Sequence, residues 1–128
     1  MKYLLDTHAL LWWFHEPAAL SERVREIISD PESEIAASAV SAMEIATKTR
    51  KGKLEYRSSL ANRFTAEVLQ EGFAPLAVTC EHAIRAGSLE SAHADPWDRL
   101  LAAQSMLEEL TLVSLDPEMA ELCISTLW

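Results

Sequence analysis

The sequence predicts an α/β fold of three layers, α/β/α, with a central, mainly parallel sheet of about five strands. Short apolar runs of strand length alternate with longer helical stretches, and cap or turn residues fall between them. Strands that alternate with helices require right-handed crossovers, which makes the sheet parallel and covers both of its faces. The chain of 128 residues, 49% hydrophobic and 24% charged, suits one domain over residues 1–128 with a sizeable core.

Lys2 to Leu5 is the first strand, ending at Asp6, and a helix runs from there through Phe14 until Pro17 ends it. Ser21 is placed as an N-cap, with Val24, Ile27 and Ile28 spaced as one buried helical stripe before Asp30 and Pro31. Ile35 to Ser38 is the second strand. A third helix is expected to begin near Ser41, carry Met43, Ile45 and Ala46, and stop around Gly52. Leu60 to Gln70 is the fourth, closed by Gly72. Phe73 to Val78 is the third strand, and Thr79 caps a helix through Ala86 with Gly87 as its stop. Ser88 to His93 shows no clear period. Pro96 to Glu109 is the clearest helix, its apolar content supplied by Leu100, Leu101, Ala103, Met106 and Leu107. Leu110 to Leu115 forms the fourth strand, Asp116 to Leu122 a short helix, and Cys123 to Trp128 a fifth strand.

Composition excludes several classes. With 3 glycines and 5 prolines there is no linker, low-complexity tract or collagen-like period. The apolar stretch from Ala9 to Phe14 is too short to span a membrane, and no secretory leader pattern precedes it, so the chain reads as cytoplasmic. Cys80 and Cys123 lie outside any metal-ligand spacing and are expected to be buried thiols in a reducing compartment. A net charge of −9 argues against a general nucleic-acid coat protein.

Four acids, Asp6, Glu44, Asp98 and Asp116, stand where a strand-like run hands over to a helix. Each has a local explanation: Asp6 and Asp116 as caps, Ser41 and Glu44 as a capping box, and Asp98 in the first turn after Asp95-Pro96. Asp95 needs no role beyond that cap. As a set the four acids mean more, because strand-to-helix junctions of a parallel sheet share its carboxyl edge, where ligands bind. Four carboxylates gathered there repel one another, each unit of pKa shift costing about 1.4 kcal/mol, and a bound cation relieves the strain. Hard oxygen ligands without a Cys or His pattern favour Mg²⁺ or Mn²⁺ over zinc, and such an ion suits hydrolysis of phosphodiesters.

The start M-K-Y-L-L-D-T-H, the segment S-A-M-E-I-A-T-K, the stretch H-A-D-P-W-D-R-L-L-A-A-Q and the strand L-V-S-L-D together resemble a PIN-domain ribonuclease of the VapC toxin type, over the whole chain and in family order. The resemblance implies a PIN-like α/β/α fold, Mg²⁺- or Mn²⁺-dependent endoribonuclease activity, a homodimer, and inhibition by a small cognate antitoxin. By position, Asp6, Glu44 and Asp98 match the three acids that such enzymes use to hold metal, and Asp116 matches a more variable fourth. Thr7 and Ser114 fall where small hydroxyl residues flank the site, Ser114 in place of the usual Thr. Trp97 replaces a common Phe, a change that leaves the ligands alone.

Other features stay open at this level. Lys48, Arg50, Lys51, Lys53 and Arg57 form either a helix end that complements the dipole or a patch that meets RNA phosphates. Trp12, Trp13 and Phe14 cannot all face one core, since successive helical residues turn by about 100°, so they fill either a crowded interior or an interface. His8 and His93 read as packing or surface residues more readily than as site residues, and His15 and His82 as exposed. An alternative function is a catalytically silent PIN-like module, or a receiver-like one, that acts by binding a partner. A receiver would need a phosphoacceptor Asp after the third strand and a late Lys, and the chain has neither.

Overall fold

Alternation along each strand divides the sheet into two apolar faces, and the helices between strands cover both. The computed structural model describes residues 2–122 and 125–128. The strands are β1 (Lys2–Leu5), β2 (Glu34–Ser38), β3 (Ala74–Leu76), β4 (Thr111–Val113) and β5 (Thr126–Leu127). They pair in parallel throughout, in the order β3-β2-β1-β4-β5. Between them run α1 (Thr7–His15), α2 (Glu22–Ser29), α3 (Ala39–Arg50), α4 (Leu60–Gln70), α5 (Cys80–Ser88), α6 (Pro96–Leu107) and α7 (Met119–Leu122), with a 3₁₀ turn at Pro17–Ala19.

Tyr3, Leu5, Ile35, Ala37 and Val113 point to one face, where they pack with Leu10 of α1, Val24 and Ile28 of α2, and Val68 of α4. Leu4 and Leu112 point to the other, against Leu101 and Ala102 of α6 and Met119 and Leu122 of α7. Helix α3 belongs to both, with Ile45 in the first cluster and Val40 in the second. The three-layer parallel α/β expectation is therefore met. Among the described residues no helix is long and apolar enough to cross a membrane.

Several boundaries differ from the expectation, each for a local reason. Helix α3 begins at Ala39 because the Ser38 hydroxyl accepts the Val40 N–H, 3.0 Å away. The Ser41–Glu44 capping box does not form; Ser41 is buried inside the helix and its hydroxyl meets that of Thr7 at 2.9 Å. Gly87 is not a stop, since α5 continues through Ser88. Helix α6 ends at Leu107, and Glu109 adopts φ 54° in the turn to β4. The regular parts of β3, β4 and α7 are shorter than the segments expected for them. By contrast, Gly52 and Gly72 do close α3 and α4, at φ 67° and 81°, the left-handed conformation that glycine adopts without strain.

The aromatic run resolves into three contacts. Trp12 stands edge-on to Trp128 at 5.6 Å, Trp13 packs near Phe73 and donates from Nε1 to Glu71, and Phe14 lies half-buried against the same cluster. Cys80 is exposed at the first position of α5, contrary to the expected burial. Cys123 lies outside the described residues. His82, expected at the surface, is 1% exposed. Its Nδ1 accepts the Thr79 N–H, so its Nε2 carries the proton donated to Glu108.

Candidate active site

The strand order reverses beside β1. The chain leaves β1 for β2 and β3 on one side, then crosses to β4 and β5 on the other. A crevice between two such crossovers lies at the carboxyl edge of an open parallel sheet. Leu5 is level with Ala37 and Val113 in the two neighbouring strands, so residues 6, 38 and 114 follow side by side at that edge.

Asp6 is set there by three bonds. Its N–H donates to the Val113 carbonyl at 3.0 Å, its carboxylate accepts the Ala9 N–H at 2.8 Å as the cap of α1, and the Ser114 hydroxyl bonds to the carboxylate. Asp116 sits two residues past Ser114, with its N–H on the Ser114 Oγ and its carboxylate accepting the Glu118 N–H. Glu44 enters from the second turn of α3, paired with Lys48 one turn later. Asp98 is in the first turn of α6, where Asp95 caps the N–H groups of Trp97 and Asp98. The capping roles read from sequence for Asp6 and Asp95 are thus real.

All four acids line one cavity of about 300 Å³, together with Lys48 and His93. Asp95 and Glu118 border it as well, which makes six carboxyl groups around one ammonium. Burial pushes the Asp6 carboxyl up from 3.8 to about 6, and Asp98 adds to the rise, while the bonds from Ser114 and Ala9 oppose it. Asp98 is also raised, first by burial and then by Asp95 and Asp116, against the hydrogen bond from His93. His93 is raised in turn, chiefly by its bond to Asp98 at 2.8 Å, and its other ring nitrogen faces Glu118 at 3.4 Å.

His93, read from sequence as a packing or surface residue more readily than a site residue, lines the cavity. A lone histidine three residues ahead of Pro96 carries no periodic signal, and only the chain path between α5 and α6 turns it onto Asp98. The basic segment divides: Lys48 lies in the cavity with its ammonium 6.0 Å from the Trp97 ring centre, while Arg50, Lys51, Lys53 and Arg57 are exposed outside it. His8 also lines the cavity, stacked on Trp12 at 5.6 Å.

The donors are hard carboxylate oxygens, those of Asp6 and Glu44 buried, and six carboxyl groups outnumber one ammonium, a set that fits Mg²⁺ or Mn²⁺. Among the described residues no three Asp, Glu, His or Cys side chains already stand together as a metal cage. Glu44 is paired through Oε2 with Lys48, and Asp98 through Oδ2 with His93.

The family model described as PIN domain matches residues 3–124. Three solved structures illustrate the likeness. VapBC2 from Rickettsia felis, bound to a DNA fragment from their promoter, is 16% identical, with TM-score 0.71, covering 100% of this chain and 99% of that one. A toxin–antitoxin complex from Klebsiella pneumoniae is 16% identical at TM-score 0.66, covering 98% and 96%. FitAcB from Neisseria gonorrhoeae is 18% identical at TM-score 0.64, covering 98% and 95%. A comparison with the curated proteins finds no match.

Proposed function

The chain belongs to the PIN domain family, and from that premise we propose that it is a Mg²⁺- or Mn²⁺-dependent endoribonuclease, the VapC-type toxin of a toxin–antitoxin pair. The observation that carries the reading is the gathering of Asp6, Glu44, Asp98 and Asp116 around one cavity at the reversal point of the sheet, with Asp6 held near pKa 6 by burial. Those four side chains would hold the cation. When bound, the ion polarises a water and offsets the charge that develops on a phosphodiester.

The remaining roles fall to this chain's own groups. Ser114 and the start of α1 orient Asp6 before any ligand arrives. Lys48 pairs with Glu44, and with a cation held by the carboxylates its ammonium would be available to a phosphate oxygen. His93 pairs with Asp98 in the same way, and as an acid lining the cavity it would be a candidate to protonate a leaving oxygen. A small antitoxin is the expected protein partner, in keeping with the toxin–antitoxin complex whose fold the chain shares. A homodimer and a cytoplasmic location complete the reading.

The test is cleavage of single-stranded RNA by the wild type, Asp6→Asn and Asp98→Asn, with Mg²⁺ or Mn²⁺ and after chelation. Stabilisation of transition-state charge by a metal is worth several kcal/mol, so each variant should lose roughly a hundredfold or more. Wild-type rates in both variants, or rates indifferent to chelation, would sink the proposal, and absence of cleavage by the wild type would favour a module that acts by binding alone.

A further inference from the structure

Residues 89–95 join α5 to α6 with neither helix nor strand pairing, yet this segment carries His93 into the cavity. Its own backbone bonds are few and short in range: Ser91 N–H to the Leu89 carbonyl, and His93 N–H to the Ser91 hydroxyl. The carbonyls are gathered instead by one side chain. Arg99 donates from Nε to Ala86 at 2.9 Å, from Nη1 to Ser91 at 3.2 Å and to His93 at 2.7 Å, and from Nη2 to Leu89 at 2.5 Å.

We propose that Arg99 is a positioning residue of the active site, whose guanidinium clamps segment 89–95 so that His93 meets Asp98. Arg99 follows Asp98 in the first turn of α6, and a step of about 100° sends the two side chains different ways. One reaches the cavity, and the other reaches the loop that supplies the first one's partner. The clamp also serves α5: Ala86 is among that helix's last four residues and Leu89 is its C-cap, so a cation there satisfies open carbonyls and complements the dipole. A planar fork with five N–H groups can serve four carbonyls in different directions, whereas a lysine ammonium on a single stem cannot. Arg99 does not touch the reacting atoms and acts through His93.

The clamp stands on geometry alone, while its effect on cleavage rests on the proposed RNA hydrolysis. Two measurements on the full chain test it. In Arg99→Lys, which keeps the charge and the stem, amide exchange in residues 86–95 should quicken by about tenfold or more while β1 and β4 exchange as in the wild type. In the cleavage assay, displacement of His93 should lower the rate of Arg99→Lys by roughly tenfold to a hundredfold. The loss should be shared, not multiplied, in the double variant with His93→Gln. Unchanged exchange, or losses that multiply, overturns the assignment. Exchange needs no RNA, so failure of the wild type to cut RNA would overturn the hydrolysis and leave the clamp to be judged by exchange.

Discussion

Asp6 performs two tasks that set opposite demands. As the cap of α1 it accepts an N–H and favours the carboxylate, while burial at 7% exposure favours the neutral acid and wins, lifting it to about 6. A folded-state pKa above the unfolded one means that the native chain holds the proton more tightly. Stability is then greatest below about pH 4 and declines as pH rises toward 6, by up to about 3 kcal/mol for this group. Asp98 shifts in the same direction. The raised pKa of His93 acts elsewhere, because a histidine is charged in both states below pH 6 and its favourable share is lost only above its ordinary value of 6.5. Denaturant titrations of the metal-free protein at pH 4, 5, 6 and 7 should therefore show a decline in the wild type that is smaller in Asp6→Asn. Asparagine still caps the helix, so the variant should be the more stable protein at pH 7 while failing to cleave RNA. Equal pH dependence in the two would contradict the burial argument.

Helix α6 joins the site to the frame. Its first turn supplies Asp98 and Arg99, and two turns later Gln104 is wholly buried under the sheet. The Ser38 hydroxyl donates to Gln104 Oε1 at 2.6 Å, and Gln104 Nε2 donates to the Ala77 carbonyl at 3.2 Å, so one amide ties the ends of β2 and β3 to α6. The long motif from Asp95 to Gln104 thus mixes chemistry with scaffolding, which the letters alone do not separate. Gln104→Leu fills the volume but strands a buried hydroxyl and a carbonyl, each worth about 1–3 kcal/mol when unpaired. A loss of about 2–4 kcal/mol in urea unfolding is expected, and a loss below 1 kcal/mol would mean that water replaces the amide. Helix α3 shows a related lesson at its start. Ser38 caps it at the end of β2, leaving Ser41 free to lock onto Thr7 and aim Glu44 inward.

The whole molecule concentrates unfavourable charge at one place. The chain carries a net charge of −9, and six of its carboxyl groups surround the cavity, so the folded form has more to gain from a cation than the unfolded chain does. Linkage turns that into a measurement: at a concentration of 100 Kd, Mg²⁺ or Mn²⁺ should stabilise the fold by about 2.7 kcal/mol, a rise of several degrees in Tm for a domain of this size. EDTA should reverse the rise, and Asp98→Asn should lack most of it. A rise that matches the one produced by the same ionic strength of NaCl would point to screening alone.

Much of this protein is written in its local chemistry. Strand-like runs at Lys2 to Leu5 and Ile35 to Ser38, the Ser21 and Thr79 caps, the Gly52 and Gly72 stops and the Pro96 helix start are short-range effects, and they match the structure closely. The alternation of those elements implies the parallel sheet, and a parallel sheet implies one shared edge for Asp6, Glu44, Asp98 and Asp116, which line one cavity. What depends on the path of the chain through space had no such signal. His82 became buried because Thr79, Glu108 and Gln104 converge on it from three parts of the chain. Cys80 is exposed at the first position of α5. His93 reaches the cavity on a segment whose carbonyls meet Arg99, six residues further along. Propensity and pattern act over a few residues, and they set the elements and the edge. The pairing of Asp98 with His93, of Glu44 with Lys48, and the raised pKa of Asp6 come from packing between distant segments, which only the folded chain brings within reach.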